Sequence, residues 1–317
     1  MSASTPTRQE VCGKGWTLFR FTLAGLGLLA TLTTQAQILV VNYGTSSIAE
    51  YTPGGALISS ALVSGLYGPI DVAWGPNGHF YVTNDRTGVV GEYLPNGLPV
   101  NASLVTGLSS PFGLAVGPGG NIYVANIGPG TIGEYLPNGT AVNASLITGL
   151  SSPVGLAFDP GGNLYVTNYD IGTVGEYTAA GALVNATLIR GLTNPEGLAF
   201  SPDGNLYVVN SGSGVIGKYT ASGAPINTSL ITGLTNPSYY LAFDATGNLY
   251  VTGYNAGTVA EYTASGTLVN ASFISGLSNP VGIAFAGIPE PATSALLAMG
   301  SGLLAVIGVF RRRRMRA

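Results

Sequence analysis

Cysteine is nearly absent: Cys12 is the single one among 317 residues and lies close to the N-terminus. The rest of the chain therefore has no disulfide, thiolate metal site or cysteine nucleophile. Histidine also occurs once, at His79, which excludes a histidine metal cluster. Charge is scarce as well, with Asp, Glu, Lys and Arg making up 8% of the residues. Between residues 37 and 288 the only bases are Arg86, Arg190 and Lys218, against twelve acids, a net charge of −9 compared with −3 for the whole chain. Such a body repels a phosphate backbone, so nucleic acid is excluded as a partner.

Glycine (48 residues) and hydrophobic residues (46%) are abundant instead. That is too apolar for a disordered chain and too glycine-rich for a helical one. Helical segments are expected only at the two ends. The N-terminus carries Arg8, Lys14 and Arg20, then an apolar run from Phe21 to Leu32, then Thr34-Gln35-Ala36. This is the layout of a secretory signal peptide, residues 1–36, cut after Ala36, with an uncleaved anchor as the plainer alternative. Cys12 precedes the apolar run and so cannot be a lipoprotein attachment residue.

At the other end Pro289-Glu290-Pro291 is followed by Ala292 to Phe310, 19 residues without a charge, and then by Arg311, Arg312, Arg313, Arg314 and Arg316. A helix of that length spans about 28 Å, close to a bilayer core of about 30 Å, and the arginines would hold its end in the cytoplasm. Residues 289–317 resemble the PEP-CTERM sorting tail of bacterial exported proteins. The resemblance implies an exosortase-type partner that cuts near Pro-Glu-Pro, transient anchoring in the inner membrane, and delivery to the cell envelope or extracellular matrix with a link to exopolysaccharide. A plain C-terminal anchor is the alternative.

Between the ends the chain repeats. Leu-Tyr-Val-Thr-Asn at 164–168 recurs from Phe80, Ile122, Leu206 and Leu249, with a looser copy from Ile38. The copies are spaced 42, 42, 42, 42 and 43 residues apart. Each unit reads as four short strands, a to d, with Pro- and Gly-rich turns. Units of about 42 residues with four strands predict an all-β, six-bladed propeller over residues 37–288. Strand a begins at Pro69, Pro111, Pro153, Pro195, Pro237 and Pro280, whereas the first strand b, at Ile38, has no strand a before it. The C-terminal strand is therefore expected to pair with the N-terminal one and close the first blade, which removes an exposed edge.

A site in such a ring has to break the symmetry. The d–a and b–c loops share one face, and there the irregular residues are Asp71 and Glu196 in strand a, Tyr239 and Tyr240 in an insertion, and Asp85 and Arg86 in a b–c loop. These are the candidate ligand-binding residues. Strand b ends in Asn42, Asn84, Asn126, Asn168 and Asn210, and Glu196 with Asn168 or Asn210 offers oxygen ligands of the kind a hard cation needs. The same asparagines in register are equally read as turn residues that bond the loop backbone. The Glu-Tyr pairs ending strand c are read as a solvated Glu and an inter-blade Tyr, and Asn101, Asn143, Asn185, Asn227 and Asn270, each in Asn-x-Ser/Thr, as markers of the c–d connection. His79 falls in the a–b hairpin on the opposite face, so no Ser-His-Asp arrangement forms at the mouth.

Repeat length and closure resemble the NHL and gluconolactonase-like (senescence-marker type) propellers. Their gluconolactonase-like enzymes hold a metal near the channel, which implies calcium or another divalent ion at the Glu196 set as one alternative. Related lyases and lactonases rely on histidines in their sites, whereas this body's single histidine, His79, is on the opposite face. The expectation is thus a non-catalytic binding or structural propeller without a catalytic residue or cofactor, contacting polysaccharide or an envelope protein; the alternative is a metal-dependent hydrolase or lyase.

Overall fold

The computed structural model describes residues 37–234 and 240–286. The signal segment, the sorting tail with Pro289–Pro291 and its arginines, Pro237 and Tyr239 lie outside the described residues. Twenty-four strands form six four-stranded antiparallel sheets. Among the described residues the only helical element is a 3₁₀ turn, Ser211–Ser213, and no helix there is long and apolar enough to cross a membrane.

Each sheet is one blade, with strand a innermost and strand d at the rim. Blade 2 runs Pro69–Trp74, Phe80–Asn84, Val89–Tyr93 and Pro99–Val105 in that order. Blades 3, 4 and 5 repeat it with inner strands Pro111–Val116, Pro153–Phe158 and Pro195–Phe200, and blade 6 with Leu241–Phe243. In blade 1 the inner strand is Pro280–Phe285, paired antiparallel with Ile38–Asn42. The two ends of the body thus complete one sheet, as the missing first strand a requires. Strand d of the fourth blade spans Leu183–Ile189.

Burial follows position in the blade. Strand b is almost wholly inaccessible, as in Ile38, Leu39, Val40 and Val41, each 0% exposed. Strand d of blade 4 exposes five of its seven residues and buries only the last. The core consists of clusters between adjacent blades rather than one central body. Strand-b tyrosines meet the last residue of the following strand a edge-on, as in Tyr123–Phe158, Tyr165–Phe200 and Tyr207–Phe243, with centroids 4.7 to 4.9 Å apart. The same tyrosines also bond the c–d turn of that neighbouring blade, since the Tyr165 and Tyr207 hydroxyls donate to the Ala221 and Ala264 carbonyls at 2.9 and 2.7 Å.

The strand-c glutamates are buried or half-buried rather than solvated. Glu50, Glu92 and Glu134 are buried. Glu134 accepts from Asn121 at 2.7 Å and from the Tyr123 hydroxyl at 3.0 Å, and Glu261 accepts likewise from Asn248 and Tyr250. The recurrence is structural: a buried tyrosine hydroxyl and a turn asparagine each need an acceptor, and the glutamate provides it. The Asn-x-Ser/Thr asparagines sit inside strand d, not in the connection before it, and each accepts the backbone N–H two residues on, as Asn101 does from Ser103.

Candidate functional site

The face formed by the d–a and b–c loops rests on the strand-b asparagines. Oδ1 of Asn84, Asn168, Asn210 and Asn42 accepts the backbone N–H of Tyr67, Ser151, Thr193 and Ser278 at 3.3, 3.2, 2.6 and 3.1 Å. Each side chain therefore ties a d–a loop to the neighbouring b–c loop, the turn-supporting role that their register suggested.

On one side of this framework, blades 6, 1 and 2 bring aromatic residues and a cation together. Arg86 donates to the Tyr43 hydroxyl at 3.1 Å. Its guanidinium lies 5.4 Å from the Tyr43 ring centre and 6.0 Å from that of Tyr67. Tyr254 stands 6.5 Å from Tyr43. Tyr67 is 60% exposed, so one ring of the group faces solvent. Gly68 makes the arrangement possible. It has φ +68°, and a Cβ there would come within 2.8 Å of Arg86 Cγ. The equivalent residues Ser110, Ser152, Asn194 and Asn279 adopt positive φ without being glycine, so what demands glycine here is the arginine. Asp85 is next to Arg86, and its N–H bonds the Gly68 carbonyl at 2.8 Å. Tyr67 had gone unnoticed in the sequence, although the same symmetry test finds it: the other repeats carry Ser109, Ser151, Thr193, Thr235 and Ser278 at that place.

Across the ring, Glu196 is 5% exposed and its Oε2 has no hydrogen-bond partner among the described residues. Burial pushes its carboxyl up to about 8, opposed by a hydrogen bond from Ser211. Tyr169 is near enough that burial and then the Glu196 charge raise its phenol, and Ser152 donates to Asp170 at 2.5 Å. As a set of cation ligands, Glu196, Asn168 and Asn210 are unequal. The two amide oxygens already hold the Ser151 and Thr193 amides, leaving Oε2 of Glu196 as the unengaged oxygen. Among the described residues no group of three or more His, Cys, Asp and Glu side chains gathers as a metal cluster.

Asp71 does not face the mouth. It lies inside the channel, 6% exposed, where Oδ1 accepts the Val72 N–H at 2.8 Å and Oδ2 accepts the Leu114 N–H of the next blade at 2.9 Å. Burial raises its carboxyl to about 7, against these two amides and the neighbouring Tyr240 hydroxyl. Asp71 and Tyr240 also border a cavity that runs from this level toward the a–b turns, the opposite side from the aromatic group. His79 sits in the a–b hairpin as expected, with Gly75 N–H bonded to its carbonyl and Nδ1 2.8 Å from Glu92.

The fold and its closure define a six-bladed propeller of the kind used by enzymes and by binding proteins alike. A profile of the virginiamycin B lyase family matches residues 27–300, and the chain belongs to that family. A second profile, the PEP-CTERM protein-sorting motif, matches residues 287–314; it indicates an exported protein processed at the envelope and implies an exosortase. The comparison with curated proteins returned no match. Among solved structures, the chain is similar to one in a nidogen/laminin complex (20% identity, 79% of this chain and 98% of that one, TM-score 0.70). It is similar to a catalytically inactive histidine-to-alanine variant of virginiamycin B lyase from Staphylococcus aureus with quinupristin (19%, 80% and 93%, TM-score 0.61). It is also similar to a gluconolactonase from Xanthomonas campestris (18%, 68% and 79%, TM-score 0.60). At these identities the likeness establishes the fold alone.

Proposed function

We propose that the protein is an exported, non-catalytic propeller that binds polysaccharide of the envelope or matrix through Tyr43, Tyr67, Tyr254 and Arg86. Residues 1–36 are removed on export, 37–288 form the mature propeller, and 289–317 serve as the sorting tail that holds the chain in the inner membrane until an exosortase acts. The observation that carries the reading is the aromatic and cationic group at the mouth, where Gly68, Tyr67 and Arg86 all break the repeat together. Sugar rings stack on tyrosine faces, and a guanidinium donates to hydroxyl or carboxylate oxygens.

The lack of a histidine among the described residues of the mouth supports a binding role. The similar lyase is inactive without one histidine; here the one histidine, His79, is held by Glu92 on the other face. The rival reading, a metal-dependent hydrolase or lyase centred on Glu196 with Asn168 and Asn210, draws on the buried Glu196 Oε2, which has no partner among the described residues. A glycan array followed by titration calorimetry tests the proposal. Binding that weakens about tenfold in Tyr67→Ala, with no new reducing ends or unsaturated products, supports it. Turnover of a bound sugar, or no glycan bound, overturns it.

A further inference from the structure

The channel offers a second site, unrelated to the mouth. Its cavity has a volume of about 510 Å³, within the range of small-molecule sites. The wall is built in layers by the six inner strands. The fourth residue of each six-residue copy, and its equivalent Leu241 in blade 6, is aliphatic, from Val72 and Leu114 round to Ile283, and the next residue is alanine in all six: Ala73, Ala115, Ala157, Ala199, Ala242 and Ala284. Below them Trp74, Phe158, Phe200, Phe243 and Phe285 form an aromatic collar, and the turn residues Pro160, Pro202 and Ala245 at the end are exposed. The small alanine side chains create the space, and the aromatic collar narrows its exit.

The strand register also fixes the polar groups. The hydrogen-bonded pair Gly75–His79 sets the phase of blade 2, so Ala73–Tyr81 exchange bonds while Val72–Val82 do not. The fourth residue's N–H and C=O therefore point into the channel, and the same turn bond recurs in blades 3 to 6. Asp71 satisfies two of those amides, Val72 and Leu114. Symmetry breaks in the same strand: Asp71 replaces the glycine of four other repeats, and Trp74 replaces phenylalanine or valine. Trp74 packs edge-on against Phe80 at 5.3 Å, and its Nε1–H is buried without an acceptor among the described residues.

We infer that this cavity binds an uncharged, largely apolar ring compound carrying a carbonyl or similar acceptor oxygen, entering from the a–b turn face. The lining holds no basic residue for an anion. Its two carboxylates are already engaged: Asp71 by the two amides, and Asp244 by the amides of Thr246 and Asn248 and the Tyr250 hydroxyl, so a cation finds no free carboxylate pair. An apolar body fits the alanine and aromatic layers, and an acceptor oxygen answers the inward amides and the Trp74 indole.

Prodan, an uncharged naphthyl ketone, is a suitable probe. Trp16 and Trp74 are the only tryptophans, so the difference between the full chain and Trp74→Phe isolates the signal of Trp74. Saturable quenching of Trp74 with one probe per chain is expected. Ala157→Leu and Ala199→Leu, which fill the cavity from separate blades, should each weaken it about tenfold or more, whereas Tyr67→Ala at the far face should not change it. If neither filled variant folds, the wild-type quenching decides alone. No saturable quenching, or binding unaffected by a folded filled variant, overturns the inference, and neither result bears on saccharide binding at the mouth.

Discussion

The Thr167 hydroxyl donates to the Glu196 carbonyl of the next blade at 2.8 Å while accepting the Gly155 N–H of its own at 2.7 Å. One buried side chain thus bonds two neighbouring inner strands. Thr83 does the same between Asp71 N–H and the Phe112 carbonyl, and Thr252 donates to the Val281 carbonyl. Blades 2, 4 and 6 carry these threonines, whereas Val41, Ala125 and Val209 occupy the place in blades 1, 3 and 5. Thr167→Val keeps the shape and leaves a buried N–H and C=O unpaired. It should destabilise the fold by about 1–3 kcal/mol in a urea melt.

Glu196 makes stability depend on pH with a definite sign. Its folded carboxyl is raised from 4.5 to about 8 by burial. At acid pH both states hold the proton. As pH rises past the ordinary carboxylate range the unfolded chain ionises first, so stability falls, by roughly 1.4 kcal/mol per pH unit, until the folded group also ionises near 8. Asp71, raised to about 7, adds a fall of the same sign. Glu196→Gln should match wild type near pH 4 and be the more stable protein at pH 8. Equal melting temperatures at both pH values would contradict the assignment.

Gly68→Ala places a Cβ against Arg86 at a backbone angle of φ +68°. A loss of about 1 kcal/mol of stability is expected from the strain, together with displacement of Arg86 and weaker saccharide binding. Gly65→Ala, also at positive φ but with nothing within 4 Å of the new Cβ, should share the strain and leave binding unchanged. Calorimetry of the two variants separates these effects.

A divalent ion at Glu196 would compete with the loop amides for Asn168 and Asn210. Adding millimolar calcium, or removing metal with a chelator, should therefore leave the melting temperature unchanged. A rise that saturates with calcium would favour the metal-dependent reading.

The architecture was legible because repetition multiplies a weak signal: each Leu-Tyr-Val-Thr-Asn copy is a poor predictor alone, and its spacing is not. The same arithmetic revealed closure, since Ile38 lacked a partner strand that Pro280–Phe285 supplied. Burial was harder to read. The strand-c glutamates look like surface residues until Tyr123 and Asn121 are seen to need Glu134 as acceptor. Asp71 is irregular in the repeat, but nothing in the pattern says that its side chain turns inward to the Leu114 amide. The alanine ring carried no chemical signature, since its meaning is the space it leaves on the axis.

The most direct test is calorimetric titration of the purified chain with polysaccharide from the matrix of the cells that export it, with released ends assayed in the same cell. Saturable binding that Tyr67→Ala and Arg86→Ala both weaken, with the polymer intact, is the predicted result. Binding that survives both substitutions, or cleavage of the polymer, would contradict the account.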